Sequence, residues 1–180
     1  MNRQLSLLFI TFYAVFSNAF THQFISRSVI TKRNMSKSFF ELTEFAVVGA
    51  SIERAKFGNK VLRSYQQHSL KVTPISKKSD EIEGIKSVGS LTELNDRIKS
   101  TNTHDSSQVG VSIVTPPGAT KLVLEEGVSQ GYRNFFLQPG TYDEAVDSYI
   151  NETKGKVSDL NVIKSCVLVD LGFSPADGED

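Results

Sequence analysis

Short apolar runs alternate with amphipathic stretches along most of this chain. Residues 45–48 (FAVV) form a continuous apolar run that ends in Gly49-Ala50-Ser51, the pattern of a buried parallel strand followed by a tight turn. Val61, Leu62 and Tyr65 then share one face at helical spacing. Residues 72–75 (VTPI) predict a second strand, which Pro74 brings to its end. Ser90-Leu91-Thr92-Glu93 has the form of a capping box, and Leu91, Leu94 and Ile98 continue it as a helical stripe. The polar residues 100–107 predict a loop. Residues 109–114 (VGVSIV) predict a third strand that ends at Thr115-Pro116-Pro117-Gly118. From Ala119 onward, Leu122, Val123 and Val128 predict a helix that stops at Gly131. Residues 134–137 (NFFL) form a fourth strand, interrupted by Gln138-Pro139-Gly140. Thr141-x-x-Glu144 is a second capping box, before a helix face of Ala145, Val146, Tyr149 and Ile150. Residues 162–169 supply a fifth strand with a polar interruption at Lys164-Ser165. Strands and helices in this alternation predict an α/β fold: a Rossmann-like, doubly wound, mostly parallel five-stranded sheet in a single domain.

The charge pattern divides the 180 residues. No acid precedes Glu41, while Arg3, Arg27, Lys32, Arg33 and Lys37 do, so residues 1–40 carry +5; residues 41–180 hold 15 basic and 20 acidic side chains and carry −5. Within the leader, Arg3 precedes an apolar run at residues 5–16 (LSLLFITFYAVF) and the small residues Ser17 and Ala19, which predicts a signal peptide over 1–19. Twelve residues are too few for a stable membrane anchor, which needs about 20. Residues 20–40 are rich in Ser, Thr, Arg and Lys and have no acid, so they read as a transit-like basic linker. This order resembles the bipartite presequences of algae and protists, and it predicts an organelle reached through the secretory route, a plastid. Translation from Met35 would instead give a cytoplasmic protein. Two glycosylation triplets, Asn34-Met35-Ser36 and Asn151-Glu152-Thr153, are short enough to arise by chance.

Several classes of chemistry are excluded early. A single cysteine, Cys166, permits neither an internal disulfide nor a Cys-based zinc site, and His22, His68 and His104 lack metal-ligand spacing. An acidic body without a basic cluster lacks the footprint of a nucleic-acid binder.

In an open α/β sheet, ligands bind beyond the carboxyl ends of the strands. The first such loop, residues 49–58 (GASIERAKFG), combines small residues with a following helix N-terminus, which suits a phosphate or pyrophosphate. It matches neither G-x-G-x-x-G nor the P-loop, and small residues also serve a turn that binds nothing. The second loop, Pro74-Ile75-Ser76-Lys77-Lys78, places cations where an NAD site has an acid. Such a lysine suits the extra ribose phosphate of coenzyme A or NADP; a solvated surface pair is the other reading.

Taken together, Ala46-Val47-Val48-Gly49-Ala50-Ser51, Lys56-Phe57-Gly58, Pro74-Ile75-Ser76-Lys77, Thr115-Pro116-Pro117 and Leu137-Gln138-Pro139-Gly140 make residues 45–170 resemble the CoA-binding domain family. These are small Rossmann-like proteins related to the CoA-binding domain of the succinyl-CoA synthetase α subunit. The resemblance implies that Gly49, Ala50 and Ser51, with Lys56, Phe57 and Gly58, cradle the CoA pyrophosphate. It further implies that Pro74, Ile75, Ser76 and Lys77 lie by the adenosine and its 3′-phosphate. Thr115, Pro116 and Pro117, and Gln138, Pro139 and Gly140, would line the neighbouring cleft. Ser76 stands where relatives commonly have Asn, and a hydroxyl still offers a hydrogen bond.

Catalytic machinery is not evident. The related synthetase works through a phosphorylated histidine held in a second domain; here His68 falls at a helix end and His104 in a polar loop. Glu125-Glu126 reads as solvated helix face. Cys166, in the fifth predicted strand, reads as an inert buried residue or as a thiol switch modified by CoA. The leading reading is a stand-alone protein that binds CoA or an acyl-CoA, as a sensor, carrier or partner-dependent subunit. The alternative is an NADP-binding oxidoreductase of Rossmann type, against which Tyr65, Tyr132, Tyr142 and Tyr149 all lack a lysine four residues on. A homo-oligomer or a protein partner stays open.

Overall fold

In this computed structural model, residues 37–174 are described. The predicted signal peptide, most of the predicted transit-like linker, Met35 and the first glycosylation triplet lie outside them. The elements in chain order are β1 (Glu44–Val48), α1 (Phe57–Gln67), β2 (Val72–Ile75), β3 (Glu81–Ile82), β4 (Ile85–Lys86), α2 (Leu91–Thr101) and β5 (Val109–Ile113), the last preceded by a 3-10 turn (Ser106–Gln108). Then follow α3 (Pro117–Ser129), β6 (Asn134–Leu137), α4 (Glu144–Lys154), β7 (Asn161–Lys164) and α5 (Val167–Leu171).

Five strands make one sheet in the order β2-β1-β5-β6-β7. Every pairing within it is parallel, with Val48 opposite both Ile75 and Ile113, and Ile113 opposite Leu137. Side chains alternate across the sheet. Phe45 and Val47 face a core shared with Val61, Leu62 and Tyr65 of α1 and Val167 of α5, while Ala46 and Val48 face a second core with Leu91, Leu94 and Ile98 of α2 and Leu124 of α3. The sheet is therefore covered on both faces, the doubly wound Rossmann-like arrangement that the alternation predicts. Prolines are excluded from central strands because they cannot donate to the ladder; Pro74 is tolerated because β2 is an edge strand.

Several local expectations are corrected. Residues 162–169 are not one strand: β7 ends at Lys164, and α5 starts at Val167. Cys166 is thus the half-buried N-cap residue of α5 instead of a strand residue. The helix expected from Ala119 begins at Pro117, since a proline at the first helical positions gives up an N–H that would have no partner in any case. The cap of α4 is Asp143, whose carboxylate accepts the Val146 N–H at 3.0 Å; the Thr141 hydroxyl donates instead to the Gln138 carbonyl at 2.8 Å. Ala145 is exposed and does not join the buried face of α4. The Ser90 capping box does form, with Ser90 Oγ accepting the Glu93 N–H at 3.1 Å and the Glu93 carboxylate accepting the Gly89 N–H at 2.7 Å.

Phe39 and Phe40, within the stretch read as basic linker, belong to the folded body. Phe39 is 1% exposed, with its ring 5.2 Å from that of Phe136, and Phe40 lies 5.7 Å from the same ring. Burying one such ring stabilises by roughly 1.5–3 kcal/mol. Phe45 stacks on Tyr65 at 4.8 Å, and the Tyr65 hydroxyl meets Ser112 Oγ at 2.7 Å. Burial pushes the Tyr65 phenol well above its ordinary pKa, so the pair stays neutral.

At the opposite end of the sheet from the strand carboxyl ends, Glu44 is 1% exposed. Its carboxylate meets Lys71 Nζ at 2.6 Å, an Arg97 guanidinium nitrogen at 3.1 Å, His104 Nε2 at 3.4 Å and the Thr73 hydroxyl at 3.0 Å. A carboxylate out of water needs such partners, and this one is well supplied.

Candidate functional site

The chain leaves β1 for β2 on one side and later crosses to β5 on the other, so the strand order reverses between β1 and β5. The loops after these two strands diverge there and open a crevice, the place where such sheets bind ligands. Gly49 sits at that point with φ +90°, and a side chain on it would lie 3.0 Å from the Val114 carbonyl oxygen of the β5 loop. Gly58, in the first turn of α1, is more constrained still: a Cβ there would lie 2.1 Å from the Gly49 carbonyl oxygen. Strand end and helix start therefore touch through backbone alone, which holds the α1 N-terminus at the crevice.

Lys56 is the N-cap of α1 and makes no side-chain cap. The early amides of the helix thus have no acceptor from a capping side chain, which suits an anion. Lys56 itself reaches Glu53 at 2.5 Å across the exposed loop, and the Ser51 hydroxyl accepts the Glu53 N–H at 3.1 Å. Phe57 stays 40% exposed and Ile52 62%, an apolar lip beside the polar turn.

On the β2 side, Ser76 and the bridge between Ile75 and Val88 set the loop. Ser76 N–H donates to the Val88 carbonyl at 2.9 Å, and Ser76 Oγ accepts the Lys78 N–H at 3.2 Å. Lys77 and Lys78 are exposed. After β5, Thr115 Oγ1 lies 2.9 Å from Thr120 Oγ1, while Pro116 and Pro117 open α3. After β6, Gln138 is fully buried; its Oε1 accepts the Val167 N–H at 3.0 Å, and its Nε2 has no hydrogen-bond partner among the described residues. Pro139 and Gly140 are exposed, Gly140 with φ +85°.

All sixteen residues picked from the sequence therefore fall on loops, strand ends or the first turns of helices along one edge of the sheet. They do not form a single ring of contacts. The β1 and β5 loops meet, the β2 loop flanks them, and the Gln138 loop lies beyond β5 and is tied to α5. Sequence reading missed the support beneath the first loop. Asn59 is fully buried, and its amide donates to the Ser51 carbonyl at 2.8 Å and to Glu83 Oε1 at 2.9 Å. Its Oδ1 accepts from Arg63 Nε at 2.8 Å, and Arg54 pairs with Glu83 at 3.2 Å. Glu83 is the turn of a β3–β4 hairpin, with Glu83 at φ 49° and Gly84 at φ 75°. The signal was present as Ile82-Glu83-Gly84-Ile85, a two-residue turn between apolar residues.

Two further expectations are adjusted. Glu125 is exposed, whereas Glu126 is half-buried and its carboxylate accepts the Thr92 N–H and hydroxyl, each at 2.9 Å. His104 sits in a loop, yet its side chain is only 4% exposed, against Glu44. No group of His, Cys, Asp and Glu among the described residues is placed to hold a metal, and no described helix is long and apolar enough to cross a membrane.

No curated protein matches the chain. Among solved structures it is similar to a conserved hypothetical protein of Pyrococcus furiosus, at 26% identity and a TM-score of 0.58, over 71% of this chain and 97% of that one. A hypothetical protein of Pyrococcus horikoshii shares the fold at 19% identity and a TM-score of 0.57, over 77% of this chain and 88% of that one. So does a Thermus thermophilus protein, at 18% identity and a TM-score of 0.59, over 77% and 95% of the two chains. The model of the CoA binding domain matches residues 43–172, from the start of β1 to the end of α5, and on that match the chain belongs to the CoA binding domain family.

Proposed function

We propose that this chain is a stand-alone CoA-binding protein that takes coenzyme A or an acyl-CoA in the crevice between the β1 and β5 loops and carries no catalytic machinery of its own. One observation supports this above the rest: Gly58 closes on the Gly49 carbonyl and brings an N-terminus with no side-chain cap to the point where the strand order reverses. The pyrophosphate would sit against the Gly49–Ser51 turn and the first turn of α1, with Lys56 exchanging Glu53 for a phosphate oxygen. Lys77, exposed beyond β2, would face the 3′-phosphate, and Ser76 the adenosine. Thr115, Pro116 and Pro117 would wall the crevice, and the buried Gln138 amide would stand toward the thiol end.

A lysine at the end of β2 is also compatible with the 2′-phosphate of NADP. CoA is the reading favoured here, because the family match and the lack of a Tyr–Lys proton-transfer pair point the same way. Calorimetry on the full chain separates the two. CoA should bind, and dephospho-CoA about tenfold more weakly, as expected for loss of one charge-assisted contact; tight binding of NADP with no heat from CoA would refute the reading. For the leader, we propose delivery to a plastid through the secretory route. Mass and N-terminal sequencing of the native protein test it: a start near Phe40 agrees, and a start at Met35 means a cytoplasmic protein.

A further inference from the structure

The amino-terminal edge of the sheet lies the length of β1, about 13 Å, from the Gly49 turn. An open groove of about 370 Å³ runs there between the start of β2, the last turns of α2, β4 and the loop that carries His104. Its polar wall is Glu44, Lys71, Thr73, Arg97 and His104, and Val72, Ile85 and Ile98 form an apolar wall. The CoA reading uses none of these residues.

The acceptors in this groove are occupied and several donors are not. Glu44 Oε1 takes the Thr73 hydroxyl and Arg97 Nη2, and Oε2 lies beside Lys71 Nζ and His104 Nε2. Arg97 bonds both Glu44 and Thr73 Oγ1 through Nη2 alone. Its Nε and Nη1 therefore make no hydrogen bond among the described residues, on a side chain that is 41% exposed. Lys71 carries three N–H bonds on a 63% exposed side chain and has Glu44 as its ion-pair partner. His104 adds an independent sign. Its side chain is 4% exposed, and its Nε2, 3.4 Å from Glu44, makes no hydrogen bond. Buried polar atoms are normally partnered, so one without a partner points to a group still to be bound.

The charges and the shape of the groove narrow the ligand. Lys71 and Arg97 against Glu44 leave one positive charge, which a single carboxylate matches. A phosphate dianion would bring a second negative charge up to buried Glu44, and the apolar wall suits a short alkyl body. We propose that this groove binds a small monocarboxylate, its oxygens taken by Lys71 and Arg97 and its alkyl body lying on Val72, Ile85 and Ile98. With the Thr103 hydroxyl donating to Nδ1 of His104, the ring proton sits on Nε2. As Lys71 turns to the ligand, Glu44 Oε2 is released to accept that proton in a hydrogen bond, and the imidazole gains the partner it lacks.

The test is a titration of the full chain with sodium butyrate, read by NMR at the backbone amides of Thr73, Ile98 and Thr101 and at Arg97 Nε–H. Saturating shifts are expected at these signals, with none from butyramide and roughly fivefold weaker binding of inorganic phosphate. Shifts that stay linear in butyrate, or equal shifts with butyramide, overturn the site; phosphate bound as tightly as butyrate overturns the match to a single charge. The His104 ring nitrogens should follow the same saturation curve, and a still His104 removes the exchange at Glu44. Lys71→Gln should weaken butyrate about tenfold, the loss of one charge-assisted contact, while Lys121→Gln on exposed α3 leaves it unchanged. Equal losses in the two variants would reduce the site to the general charge of the surface. Failure of the chain to bind CoA would leave each of these outcomes standing.

Discussion

The two edges of the sheet use charge in opposite ways. At the amino-terminal edge, Lys71, Arg97, His104 and Thr73 all converge on one buried carboxylate, and that carboxylate's acceptor capacity is consumed within the chain. At the carboxyl-terminal edge, the α1 N-terminus has no side-chain cap, Lys77 and Lys78 are exposed, and the Gln138 amide nitrogen is unpartnered. The first edge has the greater concentration of ionic groups, packed around one carboxylate with His104 Nε2 beside it but making no hydrogen bond, and the second has the exposed cations and the helix amides without a side-chain cap. A cluster of charges marks a site only when its hydrogen-bonding capacity is left over for something else. An acidic body near −5 also repels a polyanion at long range, so attraction must come from local amides and a few cations.

Breaking the amino-terminal edge should have the largest effect on stability and none on ligand. Glu44→Gln leaves Lys71, Arg97 and His104 around a neutral amide. We expect a loss of about 3 kcal/mol, the low end for a broken buried pair because Lys71 and Arg97 reach solvent. Urea denaturation reads the loss, and CoA affinity of the folded fraction should stay within twofold of wild type. Gly58→Ala sharpens the comparison at the other edge, since its methyl group collides with the Gly49 carbonyl and forces strand end and helix start apart. The expected cost is roughly 1–3 kcal/mol of stability, the usual penalty of overpacking. CoA binding, measured by calorimetry below the unfolding temperature, should fall at least tenfold; retained affinity would mean that the close approach does not form the site. Lys77→Glu should leave stability unchanged, because Lys77 is exposed. It should weaken CoA about tenfold, or roughly 1.4 kcal/mol, and dephospho-CoA hardly at all. Equal losses for the two ligands would remove Lys77 from the 3′-phosphate.

Legibility in the sequence followed the range of the interactions. The five strands could be read because apolar runs such as FAVV and NFFL are bounded by Gly and Pro. The site loops followed from them, since position in an α/β sheet determines which turns face a ligand. What failed was decided by competition between neighbours or by distant partners. Residues 162–169 read as one strand because Val and Ile are frequent there, yet Lys164 ends β7 with its Nζ 4.5 Å from the Tyr142 ring centroid, paired with Asp147, and a helix of five residues is too short to show a period. Thr141 and Asp143 are both acceptable caps, and only the Gln138 carbonyl, which takes the Thr141 hydroxyl, leaves Asp143 to cap α4. The turn that carries Glu83 has a local signature, but its meeting with Asn59, 24 residues away under the first loop, has none. Phe39 and Phe40 looked like leader because composition outweighed their two rings, whose partners Phe45, Tyr65 and Phe136 are scattered along the chain.

The difference between the edges can be measured residue by residue. Backbone amide shifts of the full chain, followed during titration with CoA, should move at Gly49, Ser51, Gly58, Ser76 and Lys77, while Glu44, Arg97 and His104 stay still. Movement centred on Glu44 and His104, or a map produced by NADP and not by CoA, would contradict the account.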